Sequence, residues 1–174
     1  MLREKKFAVM YSSGEKEPSE FFTEALMNSK LFDLGLGYFH SSGLRTLALG
    51  FANFIAKGGR MRMIINDELT IEDKEAIKKG LYTSQEEIIE KNLVDTIDSI
   101  YRTLSSYEKH FFNCLSWLIA SKKLEIIAIT PNSDRGGLAH QKFGIFTDEV
   151  NDKIAFTGSA NFSKSALNHN LETI

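Results

Sequence analysis

Two apolar segments separated by a helical pattern constrain the fold of this chain most strongly. Residues 31–39 (LFDLGLGYF) and 60–66 (RMRMIIN) are rich in the residue types that favour β-strands. Between them, apolar residues recur at helical spacing, and Lys57-Gly58-Gly59 is typical of a helix C-terminus. A strand, a helix and a strand in this order form a βαβ unit, so the two strands are expected to be parallel.

The rest of the chain alternates between helical and strand patterns. Helices are predicted over residues 19–29, 70–79, 84–104, 106–121 and 162–168. Strands are predicted over residues 124–130, 138–146, 153–157 and 171–174, with a polar loop over 131–137 and a turn at 148–152. This order of elements predicts an α/β fold in which helices flank a sheet.

Composition and charge limit the classes of function. The 174 residues carry a net charge of -2, so any nucleic-acid binding must depend on a local basic patch. The one cysteine, Cys114, excludes an intrachain disulfide, and its apolar neighbours predict a core position. Neither a secretory signal nor an apolar stretch near the ~20 residues of a membrane span is visible. We therefore expect a cytoplasmic protein without a membrane partner.

Two short motifs in the last third of the sequence contain side chains of the types that take part in catalysis. His140 and Lys142 lie two residues apart on a predicted strand, so their side chains should share one face. Gly158-Ser159-Ala160-Asn161 follows the next strand and precedes a helix, where backbone N–H groups favour an anion. Together they offer a nucleophile or acid, a fixed cation and neutral donors, a set that suits a phosphodiester.

Each of these motifs is weak when taken alone. A single histidine on a strand is more often a structural residue, and a GSxN tetrapeptide is common in turns. A hydrogen-bonded core histidine beside an unrelated turn therefore remains an alternative. The hairpin spacing between the two motifs favours the functional interpretation.

The segment HQKFGIFTDEVNDKIAFTGSANFSKSALNHNLE resembles the HxK…GSxN signature of the phospholipase D superfamily. It is most similar to the phospholipase D-like domain found ahead of superfamily II helicases and in some restriction endonucleases. LGLGYFHSSGLRTLALGFANFIAKGGRMRMIIN also looks like the opening βαβ unit of that branch. The resemblance implies an αβα sandwich with a mixed, mostly parallel sheet flanked by helices. We expect residues 1–174 to form one such domain, at the N-terminus of a longer protein.

The resemblance also implies a role for each motif residue. His140 would be the nucleophile that forms a covalent phosphohistidine, while Lys142 and Asn161 hold phosphate oxygens with support from Gly158 and Ser159. Glu172 would accept a hydrogen bond from the histidine ring and fix its tautomer. No metal or other cofactor is expected. One position departs from the signature, because Thr147 stands where the superfamily has an aspartate and Asp148 follows one residue later.

Four further residues are candidates for binding the substrate. His40 and Ser41 end a strand, and the C-terminal strand ends of a parallel sheet face the ligand crevice. A helix-capping turn is the alternative interpretation for this pair. Arg135 and Lys164 flank the motif in sequence and are the basic residues expected to contact DNA.

The leading expectation is a metal-independent nuclease domain that acts on DNA and is attached to a helicase or restriction module. Because the superfamily's active site needs two motifs, a single-copy chain would form a homodimer with both His140 residues at the twofold axis. A non-catalytic DNA-binding module is the main alternative. A lipid phosphodiesterase is disfavoured, since no membrane-seeking amphipathic face is visible.

Overall fold

A computed structural model describes residues 1–66, 68–82, 109–129 and 140–174. The helices are α1 (Pro18–Met27), α2 (Ser42–Thr46), α3 (Ala48–Ala56), α4 (Ile71–Tyr82), α5 (Lys109–Ala120) and α6 (Lys164–Asn168). The strands are β1 (Leu31–Leu36), β2 (Arg60–Asn66), β3 (Leu124–Ile129), β4 (Phe143–Thr147) and β5 (Lys153–Thr157).

The described strands form one five-stranded sheet in the order β3-β2-β1-β4-β5. The β1–β2 and β2–β3 pairs are parallel, whereas β1–β4 and β4–β5 are antiparallel. Four strands therefore point one way and β4 points the other. This confirms the predicted α/β fold with a mixed, mostly parallel sheet, including the parallel βαβ unit.

The described part of the core lies on one face of the sheet and is dominated by phenylalanine. Phe32 of β1 stacks on Phe146 of β4 with ring centroids 3.9 Å apart. Phe22 of α1 packs edge-on against Phe156 of β5 at 4.9 Å, and Cys114 of α5 is buried as predicted. On the opposite face, alternate residues of the same strands stay exposed.

The strand predicted over residues 138–146 begins later than expected. Residues 138 and 139 lie outside the described ranges, and β4 starts at Phe143, where pairing with Gly35 of β1 begins. His140 and Lys142 thus precede the strand. Lys142 still continues the β4–β5 ladder by one step, because the Gly158 N–H donates to its carbonyl at 3.1 Å. The helix predicted over 84–104 and the loop over 131–137 also fall outside the described residues.

The first residues of the chain are anchored rather than loosely attached. The Leu2 side chain is buried in the core, and its N–H donates to Asp148 at 2.9 Å. Tyr11 packs against Phe21 and exchanges two backbone hydrogen bonds with Ile174, at 2.9 and 3.0 Å. The strand predicted at 171–174 is reduced to an isolated bridge between Ser12 and Thr173.

Two properties of the described ranges bear on function. No helix in these ranges is both long and apolar enough to cross a membrane. In the same part of the chain, no three histidine, cysteine or acidic side chains lie close enough together to hold a metal ion.

Candidate active site

The β4–β5 hairpin brings the two sequence motifs together. Phe143 pairs with Thr157 at the open end of the hairpin, which places Lys142 opposite Gly158. The Lys142 carbonyl accepts hydrogen bonds from Gly158 N at 3.1 Å and from Thr157 Oγ1 at 3.3 Å. Residues far apart in sequence therefore meet at one end of the sheet because they flank paired strands.

His140 and Lys142 are in direct contact. The Lys142 Nζ lies 3.0 Å from His140 Nδ1 and 3.1 Å from Nε2, and it donates to the His140 carbonyl at 2.8 Å. An ammonium can only donate, so any hydrogen bond to the ring uses whichever nitrogen carries a lone pair. The His140 side chain is exposed, whereas Lys142 is only 4% exposed. The arrangement is an accessible imidazole held beside a fixed cation.

Burial and one carboxylate act in opposite directions on Lys142. Burial lowers the pKa of Lys142 below its ordinary value, because it disfavours the charged form. The negative charge of Glu172 raises the pKa and offsets part of that shift. Glu172 therefore belongs to the electrostatic surroundings of the His140–Lys142 pair.

Glu172 is positioned through Ser159. The Ser159 Oγ donates to Glu172 Oε2 at 2.5 Å, and Asn170 Nδ2 donates to Oε1 at 3.3 Å. The Ser159 N–H donates to the Thr173 carbonyl at 2.9 Å, and the Thr173 N–H donates back to Ser159 Oγ at 3.1 Å. These reciprocal bonds join the Gly158–Asn161 turn to the last residues of the chain.

Gly158 permits this junction by lacking a side chain. A Cβ at this position would lie 2.1 Å from the Thr173 carbonyl oxygen and 2.7 Å from Ile174 Cα. Both neighbours are backbone atoms, which cannot rotate away as a side chain would. The predicted need for glycine in the turn is therefore a need for close approach of two backbones.

Asn161 lies between two buried residues, Ala160 and Phe162. Its backbone carbonyl accepts a hydrogen bond from Ser163 N at 3.0 Å. Its side-chain Oδ1 is buried and has no hydrogen-bond partner in the described part of the chain. No described hydrogen bond joins this amide to His140 or Lys142, so its predicted contact with phosphate remains a prediction.

The loop after β1 is tied to the segment that follows Asn161. His40 N donates to the Phe162 carbonyl at 3.1 Å, and Lys164 N donates to Ser42 Oγ at 3.1 Å. The His40 ring accepts a hydrogen bond at Nδ1 from Ser42 N, which leaves the proton of a neutral ring on Nε2. His40 and the exposed Lys164 thus lie on joined loops.

Ser41 is buried, unlike the half-buried His40 beside it. Its N–H points to Asp73 Oδ2 at 3.4 Å, at the start of α4. Ser41 occupies the N-cap position of α2, but its side chain makes no capping hydrogen bond, and its burial keeps it from lining an open substrate channel. Arg135, the other basic candidate, lies outside the described residues.

Two hydrogen-bond arrangements differ from the sequence expectation. Glu172 was expected to accept from the His140 ring, but the carboxylate accepts from Ser159 and Asn170, and the ring contacts Lys142 instead. Asp148, one residue after the usual aspartate position, accepts from the N–H groups of Leu2, Val150 and Asp152 at 2.9–3.0 Å. Asp148 therefore holds the β4–β5 turn and ties it to the N-terminus.

Sequence reasoning missed one polar residue beside this site. Ser13 makes several hydrogen bonds to residues 170–172, although it lies about 160 positions away in the chain. No local signal points to it, because Ser12-Ser13-Gly14 has the composition of an ordinary turn. Only the tertiary pairing of residues 11–13 with the chain end shows its position.

The chain is similar to known proteins at the level of a family profile and of solved structures. Residues 26–174 match the family profile described as "Cardiolipin synthase, PLD-like domain". Among solved structures, NucT from Helicobacter pylori is similar at 16% identity and a TM-score of 0.47, over 94% of this chain and 80% of that one. No curated protein sequence matches. Because the family profile spans most of the chain and includes both motifs of the site, the protein belongs to the phospholipase D-like family.

Proposed function

We propose that this domain hydrolyses phosphodiesters without a metal ion, with His140 as the nucleophile. The observation that supports the proposal best is the contact of the buried Lys142 ammonium with the exposed His140 ring. A phosphodiester carries its negative charge on non-bridging oxygens, which a lysine attracts. A non-bridging oxygen that pairs with the Lys142 ammonium places phosphorus beside the imidazole of His140.

The reaction proceeds in two displacements. A lone pair of His140 forms an N–P bond while the bond from phosphorus to the leaving oxygen breaks, and an acid protonates that oxygen. Water then attacks phosphorus, gives its proton to the same group acting as a base, and breaks the N–P bond. Lys142 stabilises the charge on the non-bridging oxygens in both steps, and the amide N–H groups of Asn161 donate to the same oxygens.

One motif supplies one nucleophilic histidine, so a second group must protonate the leaving oxygen. We propose that a second copy of the chain supplies it through its own His140, in a homodimer with the two rings at the twofold axis. Equilibrium sedimentation tests this directly. A strict monomer with full activity would exclude the arrangement.

DNA is the proposed substrate, in the context of an attached helicase or restriction module. The exposure of His140, Ser159 and Lys164 supports a polymeric substrate, since a long backbone needs an open site rather than an enclosed pocket. The Lys164 side chain would add one phosphate contact. Lys164→Ala should then weaken DNA binding and lower the slope of log K against log salt by about one unit.

The activity test uses bis(p-nitrophenyl) phosphate and duplex or single-stranded DNA in the presence of EDTA. We expect hydrolysis by the wild type and loss of at least about a thousandfold in His140→Ala, as for removal of a covalent nucleophile. His169→Ala is the matched control, because this exposed histidine lies near the chain end without a contact to Lys142. Equal rates in the wild type and His140→Ala would reject the mechanism.

A second candidate is a module that binds the DNA backbone without turnover. Thr147 at the aspartate position of the signature favours this candidate. It predicts DNA binding that survives in His140→Ala and no cleavage in any variant. The description of the matching family profile names a lipid enzyme, so lipid substrates should be assayed as well. A diacylglycerol phosphodiester presented in vesicles serves this purpose.

A further inference from the structure

The N-terminal segment forms hydrogen bonds with the residues on either side of Glu172. Residues 11–13 lie beside residues 170–174, with two backbone hydrogen bonds between Tyr11 and Ile174 and a third from Ser13 N to the Glu172 carbonyl at 3.1 Å. Tyr11 is anchored in the core, so this pairing has a fixed base. The segment is therefore part of the wall of the candidate site.

Ser13 forms hydrogen bonds with both the N–H and the carbonyl of Glu172. Its Oγ donates to the Asn170 carbonyl at 2.9 Å and accepts from the Glu172 N–H at 3.1 Å, while its own N–H donates to the Glu172 carbonyl. The hydroxyl uses its one proton on Asn170 and a lone pair on Glu172, which the amino acid's donor and acceptor set allows. An alanine would lose both side-chain bonds but keep the backbone bond.

The Glu172 backbone determines where its carboxylate lies. From that position the carboxylate accepts hydrogen bonds from Ser159 and Asn170 and acts on the charge of Lys142. A chain of contacts therefore runs from Ser13 through Glu172 to Lys142 and His140. Hydrogen bonds join Ser13 to Glu172, the charge of Glu172 raises the pKa of Lys142, and Lys142 contacts His140.

We propose that Ser13 is a positioning residue of the active site, which acts by fixing the peptide of Glu172 so that its carboxylate reaches Ser159. The proposal rests on the proposed function of this same site. It assigns to the N-terminal segment a part in catalysis beyond stabilising the fold.

The test compares Ser13→Ala, Ser13→Thr and the matched control Ser12→Ala. Ser12 is the neighbouring serine, and its hydroxyl contacts only the side chain of Thr173, at 3.1 Å. We expect Ser13→Ala to lower kcat about tenfold with little change in KM, because the two side-chain hydrogen bonds that position Glu172 are lost. Ser13→Thr keeps a hydroxyl and should restore most of the rate, and Ser12→Ala should match the wild type.

A second measurement follows the charge of Lys142 directly. In the described structure the ammonium contacts the His140 ring, and the charged group that acts on its pKa is the Glu172 carboxylate. If Glu172 moves away, its upward effect on the pKa of Lys142 is lost. NMR titration of ¹³C-labelled lysine, assigned with Lys142→Arg, should therefore show a lower midpoint in Ser13→Ala than in Ser12→Ala.

The outcomes separate this proposal from the proposed function. Activity that is absent from the wild type, or retained by His140→Ala, rejects the function while the NMR titration still decides the role of Ser13. A folded Ser13→Ala that matches Ser12→Ala in both kcat and lysine midpoint overturns the positioning role. If Ser13→Ala fails to fold, Ser13→Cys provides a weaker hydrogen-bonding group for the same comparison, with smaller changes expected in the same direction.

Discussion

Replacing Gly158 with alanine tests the junction on which the site geometry depends. The added Cβ would lie 2.1 Å from the Thr173 carbonyl oxygen, whereas real Cβ contacts essentially never fall below 3.0 Å. The difference, 3.0 − 2.1 = 0.9 Å, is the smallest displacement that relieves the contact. Because the crowded atoms belong to the backbone, residues 173–174 must move away from the turn as a unit.

That displacement breaks specific bonds. The Ser159–Thr173 pair exchanges two hydrogen bonds, at 2.9 and 3.1 Å, each worth about 1 kcal/mol. Residual crowding adds on the order of 1 kcal/mol. We expect a loss of about 3 kcal/mol in the free energy of unfolding, which corresponds to roughly 6–12 °C in Tm for a chain of this size. Glu172 moves with the segment, so kcat should fall as well.

Thermal unfolding followed by circular dichroism measures the stability loss, and hydrolysis of bis(p-nitrophenyl) phosphate below the Tm measures the rate. Gly58→Ala is the matched control, because Gly58 has a φ of +81° and no neighbour within 4 Å of its Cβ position. It should lose about 1 kcal/mol of stability from backbone strain and retain wild-type kcat. If Gly158→Ala keeps both the Tm and the kcat of the wild type, close approach of the two backbones is not required.

Three further predictions follow from the described side chains. Burial lowers the pKa of Lys142 below 10.5, so the alkaline decline of log kcat/KM should have its midpoint below that pH. Lys142→Arg should retain part of the rate and show no such decline, because its guanidinium stays charged. An identical alkaline decline in both proteins would contradict this. Burial by itself raises the pKa of Asp148, but N–H donors from Leu2, Asp152 and Val150 more than offset it, so the pKa is lowered. The contribution of Asp148 to the free energy of unfolding is therefore fully present above about pH 3.8 and is lost as the pH falls through the pKa of Asp148 in the folded protein. Asp148→Asn should lower Tm at pH 7 and lower it less near pH 3. A Tm difference that does not change with pH would argue against this. Burial raises the pKa of Cys114 to about 11, so dithionitrobenzoate at pH 8 should label this thiol only after the protein unfolds. Rapid labelling of the folded protein would contradict the core position of Cys114.

Much of the fold was predictable because its signals are local. The βαβ unit follows from the apolar pattern around residues 31–66, and the parallel β1–β2 pairing confirms it. The capping interaction of α4 follows from Thr70, whose Oγ1 accepts from Asp73 N at 3.1 Å. The hairpin joining Lys142 to Gly158 follows from two short strands separated by a turn.

The remaining features depend on tertiary contacts that no sequence window contains. The start of β4 at Phe143 is fixed by where β1 stops pairing with it, not by the alternation around His140. The partner of Glu172 is Ser159 because the chain end crosses directly above a glycine. Ser13 contributes through a pairing between the two ends of the described chain, which composition alone cannot indicate.

The most direct test of the account is to look for the covalent intermediate on His140. The protein is mixed with bis(p-nitrophenyl) phosphate in EDTA, quenched at alkaline pH within one turnover, digested and analysed by mass spectrometry. The account predicts an aryl phosphate adduct on the peptide that contains His140, formed with a burst of p-nitrophenol and absent from His140→Ala. Turnover without an adduct, at a rate that His140→Ala retains, would contradict it.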